Sequence, residues 1–327
     1  MSGAVQAILD VAVPATTPLL LGCMGAIISE RSGVINLGME GAMSVGALTG
    51  IITSGMTGSP WLGFGAGVIS STLFMGLLSV FCITLKSDQV ITGVMVSLLG
   101  VAVTTYFGES WTGTQVESFN EVTVPVIGQY LVQIPLIGKP LFMNSPIDYM
   151  AFALVPMVWY FLFRTNVGMR ITAVGNDPET ADTMSINVTR IRHLCVLLSG
   201  AFAGAAGVAV SLAFTEFWTA GLINNRGWIA VALVIVARWH PFKAVLGSYL
   251  FGIIFAMQFR AQSVEFWRFM PLNDILGGVY QVIFNPVVMS TYPFLITIAV
   301  LVVATFRSRK ELGAPQALTE HYIREAE

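Results

Sequence analysis

The sequence predicts an all-α polytopic membrane protein with about nine transmembrane helices and a re-entrant half-helix. Three observations carry that prediction. Of its 327 residues 55% are hydrophobic and 10% charged, with a mean hydropathy of +0.77. A soluble domain carries about 25% charged residues and needs polar cover for its surface. Apolar runs of the ~20 residues that cross a hydrocarbon core recur along the chain, whereas the short alternating segments of a membrane barrel do not.

In order, apolar helices are predicted near 4–28, 34–54, 61–85, 89–108, 147–164, 192–214, 226–237, 241–259 and 291–306. No basic residues precede the first run, so it reads as a span and not as a cleaved leader. The shorter piece at 272–285 reads as a half-helix feeding the last span. A complete extra span there would carry the basic residues of 307–310 across the membrane. Two polar stretches interrupt the pattern. Residues 109–146 are rich in Pro, Gly and Thr and carry Glu109, Glu117 and Glu121. Residues 165–191 carry Arg170 and Arg190 around a short helical pattern. The polar tail 307–327 reads as a loosely ordered or docking end.

Basic residues orient the chain, because they gather on the cytoplasmic side. With 165–191 inside, 12 of the 16 Lys and Arg fall inside, and only Lys139, Arg226, Arg260 and Arg268 fall outside. The expected topology has an outside N-terminus, segment 109–146 outside and a cytoplasmic C-terminus. A faint repeat crosses it. Ile35-Asn36 is echoed by Ile223-Asn224, Pro60-Trp61 by Pro241-Phe242, and the Gln89 segment by the Asp274 segment, at offsets of 181 to 188 residues. The halves would run in opposite senses, an arrangement transporters use to build a pathway at the repeat interface. Chance matching of apolar dipeptides is the alternative.

Several chemistries are missing. No Gly-x-x-x-x-Gly-Lys-Ser/Thr cradle for ATP phosphates, no HExxH and no Gly-x-Ser-x-Gly occurs. Cys23, Cys82 and Cys195 have no metal-binding spacing and read as small core residues. The three His lie at or beyond the cytoplasmic face, which disfavours an intramembrane metal. The net charge of −2 says nothing of nucleic acid, and none is expected as a partner.

The run Gly168–Val188 predicts a short amphipathic helix. Asp177 is a good N-cap, Pro178 suits the first turn, and Glu179 and Asp182 favour the same helix start. Ala181, Met184 and Ser185 would then share a face suited to a groove on a soluble partner. A solvated connecting loop is the plainer reading. The small residues Gly200, Ala203, Gly204 and Gly207 predict close helix packing.

Polar groups at bilayer depth are the pathway candidates: Asn36, Glu40, Gln89, Asn224, Asn225 and Asp274. Glu40 lies about a turn into a predicted span, near its cytoplasmic end. It would be either a gate or a hydrogen-bond anchor held by Arg31, Asn36 or freed backbone. Trp218 and Trp228 could stack on a ring of the solute or sit in the interfacial belt.

The runs ERSGVINLGMEG, RTNVGMRITAVGNDPETADTMSINVTRIR, SGAFAGAAG and NRGWIAVALVIVARWHPFKAVLGSYLFG together resemble the permeases of bacterial ABC importers of the ribose and branched-chain amino acid family. They look most like the shorter of two nucleoside permeases. The resemblance covers about residues 14–306. It implies a type II ABC importer-like fold in which 1–306 is the permease domain, 165–191 the cytoplasmic coupling loop and 307–327 a cytoplasmic tail. It implies a subunit, not an enzyme, of an importer in the bacterial cytoplasmic membrane, taking up nucleosides or else a sugar, an amino acid or another small solute. It further implies two ATP-binding partner subunits that hold ATP and magnesium, a second and longer permease, and an extracytoplasmic solute-binding protein, with no cofactor in this chain. The ATPase-coupling element maps to Gly175, Asn176, Asp177, Pro178, Glu179 and Ala181. The chain departs from the family pattern at Asn225 and Ala237, where Gly is usual, and at Thr180, where Ala is usual. A self-sufficient secondary transporter is the alternative that the repeat and Glu40 permit.

Overall fold

The computed structural model describes residues 2–120, 122–123, 138–261, 313–320 and 322, with scattered positions between 285 and 302. Eleven α-helices have described bounds: α1 Ser2–Arg31, α2 Met39–Thr57, α3 Pro60–Ser79, α4 Gln89–Gly108, α5 Gly138–Phe142, α6 Pro146–Arg164, α7 Asn166–Asn176, α8 Pro178–Thr183, α9 Val188–Val208, α10 Arg226–Ala237 and α11 Pro241–Ala261. Two-residue strands β1 (Val122–Thr123) and β2 (Met143–Asn144) pair antiparallel.

Five helical stretches are long and apolar enough to cross a membrane: Leu9–Arg31, Pro60–Thr84, Gln89–Trp111, Pro146–Arg164 and Val188–Phe214. The helices α10 and α11 contribute two shorter apolar stretches. Among the described residues this supports a multi-pass helical protein, with fewer complete spans than the predicted nine. The half-helix at 272–285 with Asp274, the span at 291–306 and most of the tail lie outside the described residues, apart from scattered positions and 313–320.

Helix boundaries follow local chemistry. Asn187 caps α9 by accepting from the Arg190 amide at 2.9 Å, so α9 begins four residues before the predicted 192. Ser145 and Asp148 form a reciprocal capping box at the start of α6. The predicted helix at 34–54 starts only at Met39. Residues 34–36 before it form no helix and are largely buried, and Ser29 Oγ and Gln89 Oε1 take up the backbone of this connector: Ser29 donates to the Val34 carbonyl, and the Ile35 amide donates to Gln89.

The core centres on α1, α2 and α9, ringed by α3, α10 and α11. The small-residue stripe of α9 packs as the sequence predicts. A Cβ on Gly204 would sit 2.5 Å from the Gly67 carbonyl of α3, and one on Gly46 would sit 2.6 Å from the Gly204 backbone. The pairings are reciprocal: α1 packs on α10 and α11, while α9 packs on α2 and α3. Both α3 and α11 begin at a proline.

Candidate functional site

Two places gather the sequence-predicted residues. The first is the loop between α6 and α9. Asp177 ends α7 and caps α8, its carboxylate accepting from the Thr180 amide at 3.0 Å and from the Thr180 hydroxyl. Those hydrogen bonds hold the Asp177 carboxyl below the usual carboxylate range. Thr180, at a family departure, is therefore a working part of the cap. Asn176, Asp177, Glu179 and Thr180 are exposed. Ala181 is 3% exposed and packs with Val174 and Val188. The predicted shared face of Ala181, Met184 and Ser185 does not form. The helix ends at Thr183, so Met184 is 73% exposed and Ser185 turns into left-handed backbone at φ +60°. The free face is instead carried by Glu179, Thr180 and Thr183.

Gly175 fixes this loop to the bundle. A Cβ there would collide with the Arg31 carbonyl and lie 3.3 Å from the Gly33 nitrogen. Only glycine lets the loop rest directly on the turn after α1. Around that contact lies a hub that sequence reasoning missed. Trp239 Nε1 donates to Glu30 at 2.7 Å, and Arg31 Nε donates to the Trp239 carbonyl at 3.0 Å. The Arg31 guanidinium also lies over the Phe163 ring, 4.3 Å from its centroid. Arg192 donates to the Ser32 carbonyl at 3.2 Å and to the Glu320 carbonyl at 2.9 Å. The strap 313–320 closes it: the Ala317 amide bonds the Gly175 carbonyl at 3.0 Å and the Thr319 amide bonds the Gly33 carbonyl at 3.2 Å. His240, beside the hub, is held below the ordinary histidine range by burial and by Lys243 and Arg31. The charged pair Glu30-Arg31 was visible in the sequence. Its partners, some 200 residues away, had no local signal.

The second place is Glu40. Its carboxylate accepts from the Asn225 amide at 2.9 Å and the Gly227 amide at 2.7 Å, so it caps the N-terminus of α10. A Cβ on Gly227 would approach the Glu40 backbone to 2.5 Å, so Gly227 is what admits the carboxylate. Of the expected partners, neither Arg31 nor Asn36 holds it; backbone amides do, and they belong to the start of α10. α10 has 12 residues, roughly 18 Å at about 1.5 Å each, and it ends next to Trp239 at the hub. Glu40 caps the other end of α10. It therefore lies about 18 Å along α10 from the hub.

Asn224 and Asn225 both adopt left-handed backbone, at φ +50° and +64°. Besides Gly, Asn is among the few residues that enter this region routinely. Asn36 is buried, donating to Ser199 Oγ at 2.6 Å, and Gln89 is buried on the connector. Arg226 is buried between Phe214 and Phe255, donating to the Leu222 and Ile223 carbonyls. Trp218 is 1% exposed against Gly108, which leaves no free face for stacking, and Trp228 is half-buried. Among the described residues no group of three or more His, Cys, Asp or Glu could hold a metal.

With this geometry in hand, the chain matches the family described as branched-chain amino acid transport system, permease component, over residues 8–280. It belongs to that family. It is 46% identical to a Haloferax volcanii chain provisionally named a glucose ABC transporter permease, over 97% of this chain and 98% of that one. It is 32% identical to a guanosine ABC transporter permease of Bacillus subtilis, over 97% and 98% of the two chains. It is 31% identical to a nucleoside ABC transporter permease of Lactococcus lactis, over 85% and 89%. No solved structure matches it. The chain is a permease subunit of an ABC transporter, a transport component and not an enzyme. Its family implies ATPase, solute-binding and further permease partners.

Proposed function

We propose that this permease takes up nucleosides, paired with a second, longer permease and driven by two ATPase subunits that hold ATP and magnesium, with an extracytoplasmic binding protein delivering the solute. Support comes from the guanosine and nucleoside permeases among its relatives. A monosaccharide is the second reading, favoured by the 46% identity to the chain provisionally named for glucose. Both are neutral, hydroxyl-rich solutes. Uptake of labelled uridine and labelled glucose by cells carrying the full importer separates them: saturable uridine uptake competed by other nucleosides supports the first reading, and glucose-only uptake replaces it with the second.

We further propose that α8 docks on an ATPase subunit at the cytoplasmic face, with Glu179 and Thr180 as its exposed contacts. The observation that carries this is the capped, exposed α8 seated through Gly175 on the α1–α2 turn. Force on α8 would reach the connector that holds Asn36 and Gln89, and through it Glu40 and the start of α10, where Asn225 and Trp228 border the pathway. The reciprocal packing of α1 and α9 supports the inverted-repeat reading. Glu179→Arg should leave the permease folded and abolish solute-stimulated ATP hydrolysis in the assembled complex. Unchanged stimulation would refute the docking role.

A further inference from the structure

At the ends of three spans lies a groove of about 540 Å³ that the transport reading does not use. Lys86 lies between the stretch ending at Thr84 and the one starting at Gln89, and Arg190 and His193 open the stretch starting at Val188. All three line the groove, together with Thr189 and Tyr322. Because three apolar stretches end here, the groove sits at the level of the lipid headgroups. Apolar side chains next to it in sequence face outward: Phe81, Leu85, Leu194 and Leu198 are all exposed. The site thus presents cations at headgroup depth above an apolar wall at acyl-chain depth.

We propose that this groove binds one anionic phospholipid, its phosphodiester held by Lys86 and Arg190 and an acyl chain laid along Leu194 and Leu198. Charge complementarity selects an anionic lipid over a zwitterionic one, whose ammonium would meet the same two cations. His193 adds a wall to the groove, its ring nitrogens sharing hydrogen bonds with Ser79 and Thr84. Arg192 takes no part, since its guanidinium turns to Ser32 and Glu320. The end of α9 is not the attraction either, because Asn187 already accepts from the Arg190 amide. Asp182, in the last turn of α8, also lines the groove. A lipid there touches the loop that carries α8. The inference is independent of the solute and of the docking role.

Purified permease in nanodiscs with equal phosphatidylglycerol and phosphatidylcholine, released into native mass spectrometry, tests it. Wild-type protein should retain one phosphatidylglycerol in preference. Lys86→Gln and Arg190→Gln should each weaken retention roughly fivefold, and the pair about 25-fold. The swapped variant Lys86→Arg with Arg190→Lys should retain it, which separates charge from misfolding. Equal retention of both lipids, or retention unchanged in the double variant, overturns the proposal. So does displacement of the lipid by millimolar inorganic phosphate alone, which would mark a soluble-anion site. Loss of the lipid when ATPase subunits bind would make the groove part of their docking surface and overturn it as well.

Discussion

Among single residues, one costly group is the Glu40 carboxylate. Glu40 is 7% exposed and satisfies two amides that have no other partner at the start of α10. Glu40→Gln keeps one acceptor but points an amide group at an N–H. We expect a loss of about 1–3 kcal/mol, the penalty of one buried unsatisfied donor, read as a lower thermal midpoint in detergent. If the midpoint holds while uptake stops, Glu40 acts as a gate and not as an anchor. Asn225 gives a cleaner contrast. Asn225→Gly should be close to neutral, while Asn225→Ala should cost about 1 kcal/mol, because alanine resists φ +64°. The intramembrane charge, the Asn pair and the Arg-Gly step were all legible in the sequence. Their mutual contact was not, since residues 185 and 187 positions apart share no periodicity to betray it.

Among elements, α8 was the best predicted. Asp177 and Pro178 specify its start without tertiary help, which is why local chemistry sufficed. Its outer face was misread because the helix stops at Thr183, where the Ser185 backbone turns left-handed and forbids another turn. The start of α2 was misread for the opposite reason. Val34–Leu37 is apolar enough to pass for helix, but Gln89 and Ser29 capture its backbone groups. Gly175→Ala should separate the two functions of this region: α8 stays formed, while the added methyl pushes the loop off Arg31. We expect ATP hydrolysis by the complex to persist and lose its link to uptake by tenfold or more. Acid should loosen the same joint. His240 titrates below its unfolded value, so the unfolded chain takes up the proton first and stability falls as pH drops through about 6.5. His240→Gln should shrink the difference in thermal midpoint between pH 7.5 and pH 5.5.

For the molecule as a whole, composition alone fixed the class, because 10% charged residues cannot cover a soluble fold. The repeat is faint as dipeptides, and the packing is compatible with it, α9 meeting α2 and α3 as α1 meets α10 and α11. The polar tail reads from sequence as a loosely ordered or docking end, and its described part docks. In the structure Ala317 is 2% exposed and bonds Gly175, while Thr319 bonds Gly33 and the Glu320 carbonyl accepts from Arg192. Removing residues from Gly313 onward should leave the bundle inserted and lower its thermal midpoint by several degrees. It should also raise amide hydrogen exchange at Gly33 and across 172–184, measured by mass spectrometry.

That strap also sets a timetable. It follows every described helix along the chain, yet two of its bonds go to Gly33 and to Arg192, which the ribosome makes long before it. The first turn of the protein therefore waits, with its carbonyl open, until nearly all of the remaining chain has been inserted. A truncated product would display that open turn at the membrane surface, where a quality-control protease could tell it from a finished permease.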